Sequence, residues 1–84
     1  MKATENTKLK TWYIMKYPTD ELGDEINPEA TFGSLFRAMD NYEHVYHHIG
    51  VFDSFVREGI FEGLCEVTGH TYKEIHDQWL KCEI

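Results

Sequence analysis

The sequence predicts a mainly α-helical domain with a minor β component. One short N-terminal strand precedes three or four helices, and the last two close as a helix-turn-helix-like hairpin. Three observations carry this expectation. Apolar residues recur at helical spacing from Ala30 to Cys82, the mark of helices with one face turned inward. The same stretch holds helix starts at Asn27-Pro28 and Thr71-x-x-Glu74 and helix stops at Gly50 and Gly69. Only Thr11–Tyr17, TWYIMKY, has the β-branched and aromatic make-up of a strand.

In chain order, Met1–Lys10 is polar and lysine-rich and reads as a flexible leader ahead of one small domain over residues 11–84. In the expected strand Thr11–Tyr17, Trp12 and Ile14 alternate with Tyr13, Met15 and Tyr17, and Pro18 ends it. A lone strand is unstable. It therefore needs a partner: a brief stretch near Asp24–Ile26, a second copy of the chain in a homodimer, or the helices themselves if it lies extended across them. Pro18–Asn27 reads as an acidic loop or a short turn of helix. It lacks the alternating ligands and distal Glu of a calcium-binding hand.

Asn27 is the expected N-cap of the first helix, with Pro28 at its first position and Glu29 at the positive end of its dipole. Ala30, Phe32, Leu35, Phe36 and Met39 form its inward stripe, and it ends near Asp40–Asn41. A short helix over Asn41–Ile49 follows, with Tyr42, Val45 and Ile49 inward and Gly50 as its stop. Asp53 or Ser54 caps the third. Its spacing puts Phe55, Val56, Gly59, Ile60, Leu64 and Val67 on one face, flanked by Phe52 and Phe61. Gly59 and Gly63, four apart, predict the close approach of another helix. After Gly69, Thr71 and Glu74 form a capping box, and Tyr72, Ile75, Trp79 and Cys82 form the inward side of the last helix.

Charge narrows the function. Residues 1–16 hold four bases and one acid, +3, whereas residues 17–84 hold four bases and fourteen acids, −10. Such a surface repels phosphate backbones and favours basic protein partners, including proteins whose basic grooves hold nucleic acid. The acids of the Pro18–Glu29 stretch, Asp20, Glu21, Asp24, Glu25 and Glu29, are the expected charged contacts. Tyr17 and Tyr46 are candidate aromatic anchors, since tyrosine suits interfaces. Met1–Lys10 has no apolar segment of the signal-peptide kind, and no apolar run approaches membrane-spanning length. The expected setting is therefore the cytoplasm, with the thiols of Cys65 and Cys82 free.

Two patterns invite more specific chemistry. His44, His47 and His48 fall at i, i+3 and i+4, a zinc-like spacing without an evident fourth ligand, so no metal or cofactor is expected. Leu64–Ile75, LCEVTGHTYKEI, has the outline of a helix-turn-helix, with the small Cys65 four residues before Gly69. In a DNA-binding alternative, Thr71, Lys73, His76 and Gln78 would contact the DNA, with Thr71, His76 and Gln78 towards the bases. The would-be recognition helix Tyr72–Glu83 has two lysines against three acids and no arginine, which argues against phosphate contact. There is no GxSxG nucleophile signature and no phosphate-cradling glycine loop, so the reading is non-enzymatic.

The run TWYIMKYPTDELGDEINPEATF, followed by GVFDSFVREGIFEGL and an aromatic end in WL, resembles small accessory proteins carried by phages and conjugative elements of gut Firmicutes. The resemblance covers most of residues 11–80. It implies a neighbourhood that includes antirestriction and anti-CRISPR inhibitors, which are frequently small and acidic. The expected function is therefore a protein-binding module of a mobile element that inhibits a host defence nuclease. A structural or assembly role joined through Thr11–Tyr17 is a third reading.

Overall fold

The computed structural model describes residues 2–50 and 54–82. Among them are five α-helices and one 3-10 turn. Helix α1 is Leu9–Lys16, the turn is Glu21–Glu25, α2 is Phe32–Asp40, α3 is Val45–Ile49, α4 is Ser54–Thr68 and α5 is Tyr72–Lys81. Helix α4 is central and packs on α1, α2 and α5. Helix α2 also meets α3 and α5, and α1 covers the 3-10 turn.

The first correction concerns Thr11–Tyr17, which is helix and not strand. In α1, Leu9, Trp12 and Tyr13 share one buried face at i, i+3 and i+4. Period-2 alternation had set Trp12 and Tyr13 on opposite sides. Burying an aromatic side chain stabilises by about 2–3 kcal/mol, whereas the whole β-propensity scale spans about 1 kcal/mol, so packing decides. The only β pairing among the described residues is one antiparallel bridge, Lys8 with Thr31. Asp24–Ile26 gives no pairing strand, since Asp24 and Glu25 belong to the 3-10 turn, and a dimer joined through a Thr11–Tyr17 strand loses its geometric basis. The leader also contributes to the core. Ala3 and Leu9 are buried, and Gly33 N donates to Glu5 O at 2.8 Å.

The second correction is the start of α2. Thr31, not Asn27, is its N-cap. Thr31 Oγ1 accepts from Ser34 N at 3.1 Å, and Ser34 Oγ accepts from Thr31 N at 2.9 Å. Asn27 instead secures the end of α3. Its Nδ2 donates to His48 O at 3.0 Å and its backbone N to Ile49 O at 2.7 Å, satisfying carbonyls that a helix end leaves free. Its Oδ1 accepts from Glu29 N at 3.0 Å, so Asn27–Ala30 is a turn around Pro28. Helix α3 is shorter than expected. Tyr42 precedes it at φ 55° and is 62% exposed, while Val45 and Ile49 point inward. Gly50, at φ 85°, ends the helix.

Helix α4 stops before Gly69, which takes φ 77°, and α5 begins with the reciprocal Thr71–Glu74 capping box. Asp53, weighed as a cap, and Phe52 and Glu83 lie outside the described residues. The inward face of α4 carries Val56, Ile60, Phe61 and Leu64. Phe55, expected on it, is 75% exposed. The Gly59–Gly63 notch admits aromatic rings: Tyr13 and Tyr17 lie over Gly59, and Phe32 and Trp12 over Gly63. Trp79 of α5 fills the space beside Phe61 at 4.9 Å between ring centroids, with Tyr46 edge-on at 5.8 Å. Tyr72, also expected inward, is half exposed. No helix of the described residues is long and apolar enough to cross a membrane.

Candidate protein-binding surface

The acidic segment is built around Asp20. Its Oδ1 accepts from Leu22 N at 2.9 Å and caps the 3-10 turn, and its Oδ2 accepts from the buried Tyr13 hydroxyl. Asp20 is half-buried and holds the turn against α1. Gly23 is buried beneath Tyr13 and Ile14, and Leu22 packs on the core. This leaves Glu21, Asp24, Glu25 and the following Glu29 exposed to solvent. Four of the five predicted acids are thus presented outward, while the fifth fixes their scaffold.

Tyr17, the C-cap of α1, is half-buried. Its hydroxyl donates to Glu62 Oε2 at 3.4 Å. Burial, with the nearby Glu62 carboxylate, pushes its phenol up from the ordinary value. It lines a cleft of about 250 Å³ between α1 and α4 with Asp20, Phe55, Glu58, Gly59 and Glu62. Tyr46 is not part of this group. It sits on α3, half-buried against Trp79. Sequence reasoning missed Phe55, Glu58 and Glu62. Their spacing, i, i+3 and i+7, is a helical stripe of its own on the side of α4 away from Ile60 and Leu64.

The three histidines do not converge. The rings of His44 and His47 are 4.6 Å apart, but His48 turns to α2 and places Nε2 3.0 Å from Ser34 Oγ. Among the described residues no group of three His, Cys, Asp or Glu side chains could hold a metal ion. Burial lowers the His48 pKa below its ordinary 6.5, against a smaller opposing pull from Glu43; His44 and His47 share its shallow pocket. The unfolded chain therefore binds the His48 proton more readily than the folded one. The contribution of neutral His48 is complete above about pH 6.5 and is lost as pH falls towards the lowered folded value. We expect denaturant midpoints to drop between pH 7.5 and pH 5, and His48→Gln to flatten that slope. An identical slope in the variant would assign the pH dependence to other groups.

The helix-turn-helix residues are largely committed within the fold. Gln78 Nε2 donates to Met39 O at 2.9 Å, and Thr71 Oγ1 accepts from Glu74 N at 3.2 Å. His76 is half-buried, stacked with Tyr72 and edge-on to Phe61. Lys73 is exposed. Cys82 is buried and its Sγ donates to Met39 O at 3.4 Å, while Cys65 is half-buried. Both are free thiols whose pKa burial raises, so neither is primed as a nucleophile.

The surface therefore defines a class: a small helical domain with a fixed acidic turn beside an aromatic, carboxylate-rimmed cleft. No protein-family model, curated protein or solved structure matches the chain.

Proposed function

We propose that this chain is a non-catalytic protein-binding module of a mobile element, whose acidic surface occupies the basic nucleic-acid groove of a host defence nuclease. It would act there as an anti-CRISPR or antirestriction protein does. The observation that supports this most is the outward presentation of Glu21, Asp24 and Glu25 from a turn that Asp20 and Gly23 hold against α1, with Glu29 exposed on the Asn27–Ala30 turn that follows. Like charges carried on a preorganised turn meet a basic groove at little ordering cost. The −10 charge of residues 17–84 (four bases, fourteen acids) adds long-range attraction to a basic groove. The choice of a defence nuclease rests on the resemblance to phage and conjugative-element accessory proteins.

The test is capture of the partner from a host lysate, followed by kinetics on the purified pair. The captured protein should be a nucleic-acid-binding enzyme that competing nucleic acid displaces. The triple variant Glu21→Lys, Asp24→Lys, Glu25→Lys should cut the association rate by roughly tenfold or more at low salt. All three positions are exposed, so the fold should survive. An unchanged rate removes this turn as the contact. Tight, sequence-dependent gel shifts with DNA of the element's own promoter would overturn the proposal in favour of a DNA-binding regulator.

A further inference from the structure

We propose that the cleft between α1 and α4 is a pocket for one arginine side chain of the protein partner, with the guanidinium against Tyr17 and Phe55 and paired to Glu58 and Glu62. This rests on the reading of the chain as a module for a basic protein, and it names the group that anchors the contact.

Size is the first argument. A cleft of about 250 Å³ lies below the roughly 300–1,000 Å³ of small-molecule sites and fits one long side chain better than a metabolite. The second argument is its lining. Phe55 is 75% exposed at the rim, and Tyr17 stands across the helix pair at the end of α1. Asp20, Glu58 and Glu62 complete the rim. Asp20 is held by Tyr13 and Leu22 N, Glu62 is shared with Lys16, and Glu58 makes no hydrogen bond or ion pair with a described residue. Rings and carboxylates together favour a cation that is partly stripped of water.

The third argument is that the same helix pair already holds a cation in this manner. Lys16 Nζ lies 4.9 Å from the Trp12 ring centroid and 2.8 Å from Glu62 Oε2. One residue further along α1, Tyr17 offers the next ring beside the same carboxylate. Gly59 forms the floor, and a methyl group there would come within 3.0 Å of both Tyr13 and Tyr17, so glycine keeps the cleft open. Arginine suits this lining better than lysine. Its planar group stacks on rings, forks to carboxylates and is less strongly hydrated. Phosphate-bearing ligands are repelled by the same carboxylates.

The experiment titrates the full chain with a capped Gly-Arg-Gly-Arg-Gly peptide, its lysine counterpart and its neutral citrulline counterpart, followed by amide NMR. The arginine peptide should shift the amides of Gly59 and Glu62, the lysine peptide should do so more weakly, and the citrulline peptide should not. Phe55→Ala should weaken arginine-peptide binding by about 2–5-fold, the size of an exposed cation–π contact, and Glu58→Gln by a similar factor. Both positions are exposed, so neither change should unfold the chain. Arginine-peptide shifts confined to Glu21–Glu25, unchanged by Phe55→Ala, would overturn the pocket and leave the acidic-surface reading standing. If no basic peptide binds above the citrulline control at low salt, both readings fall.

Discussion

Trp79→Ala should remove about 3–5 kcal/mol of stability, the usual cost of truncating a fully buried aromatic. Trp79 has no exposed surface and is wedged between Phe61 of α4 and Tyr46 of α3. At roughly 0.05–0.15 kcal/mol per residue, a chain of 84 residues has about 4–13 kcal/mol in total. The substitution therefore takes a large share of that, and at the low end all of it. A fall in melting temperature of about 15–30 °C is expected, or the loss of a cooperative transition. Trp79→Phe keeps a ring against Phe61 and should lose far less, about 1–2 kcal/mol. An alanine variant that melts within a few degrees of the wild type would show that Trp79 does not fasten α5 to α4.

That prediction could have been made from sequence, because the α5 signals agree with one another. Thr71 and Glu74 cap the helix, Ile75, Trp79 and Cys82 repeat on one face, and all three are buried. The stop glycines Gly50 and Gly69 were legible for the same reason: a left-handed C-terminal residue is a local demand that glycine meets. Thr11–Tyr17 was not legible. Its local composition favours a strand, and the force that makes it helical is the Gly59–Gly63 notch more than forty residues away, into which Tyr13 and Trp12 fit. Asn27-Pro28 misled in a different way. It satisfies every rule for starting a helix, yet its amide is used on the carbonyls at the end of α3, and Thr31 with Ser34 caps α2 four residues later. No reading of residues 27–31 alone contains His48.

The candidate surface divides along the same line. Exposure of Glu21, Asp24, Glu25 and Glu29 follows from their charge, since acids are almost never buried unpaired. The role of Asp20 as the peg of that turn depends on Tyr13 and so on the unforeseen helix. Helical spacing put Phe55 on the inward face with Val56 and Gly59, yet it is 75% exposed. The arc from Gly59 through Ile60 to Phe61 is already filled and leaves Phe55 on the stripe of Glu58 and Glu62. Helix α4 thus has two unlike sides. One is an apolar face that gathers the other helices, and the other is an acidic, aromatic strip whose Glu62 touches Tyr17 and Lys16 of the α1 end.

The inward side of α4 is set by Gly63, and Gly63→Ala should destabilise although alanine is the better helix former. A methyl group there would lie 2.6 Å from Phe32 Cε1, closer still to Cζ, and 3.3 Å from Trp12 Cζ2. Phe32 is fully buried, and its ring is already edge-on to Trp12 at 5.4 Å between centroids, so it has no free direction of retreat. Helix propensity returns about 1 kcal/mol, whereas overpacking a filled core costs typically ~1–3 kcal/mol and occasionally more. With a clash this deep we expect a net loss of about 2 kcal/mol, or roughly 8–16 °C in melting temperature. Phe32→Leu alone should cost about 1–2 kcal/mol by emptying the space beside Gly63. Combined, the two changes should cost less than their sum, because the shorter leucine frees the volume that the new methyl group needs. A coupling of about 1 kcal/mol or more in that double-mutant cycle is the expected result. Strict additivity would mean that Phe32 and Gly63 do not share the contact, and that α2 and α4 meet elsewhere along their lengths.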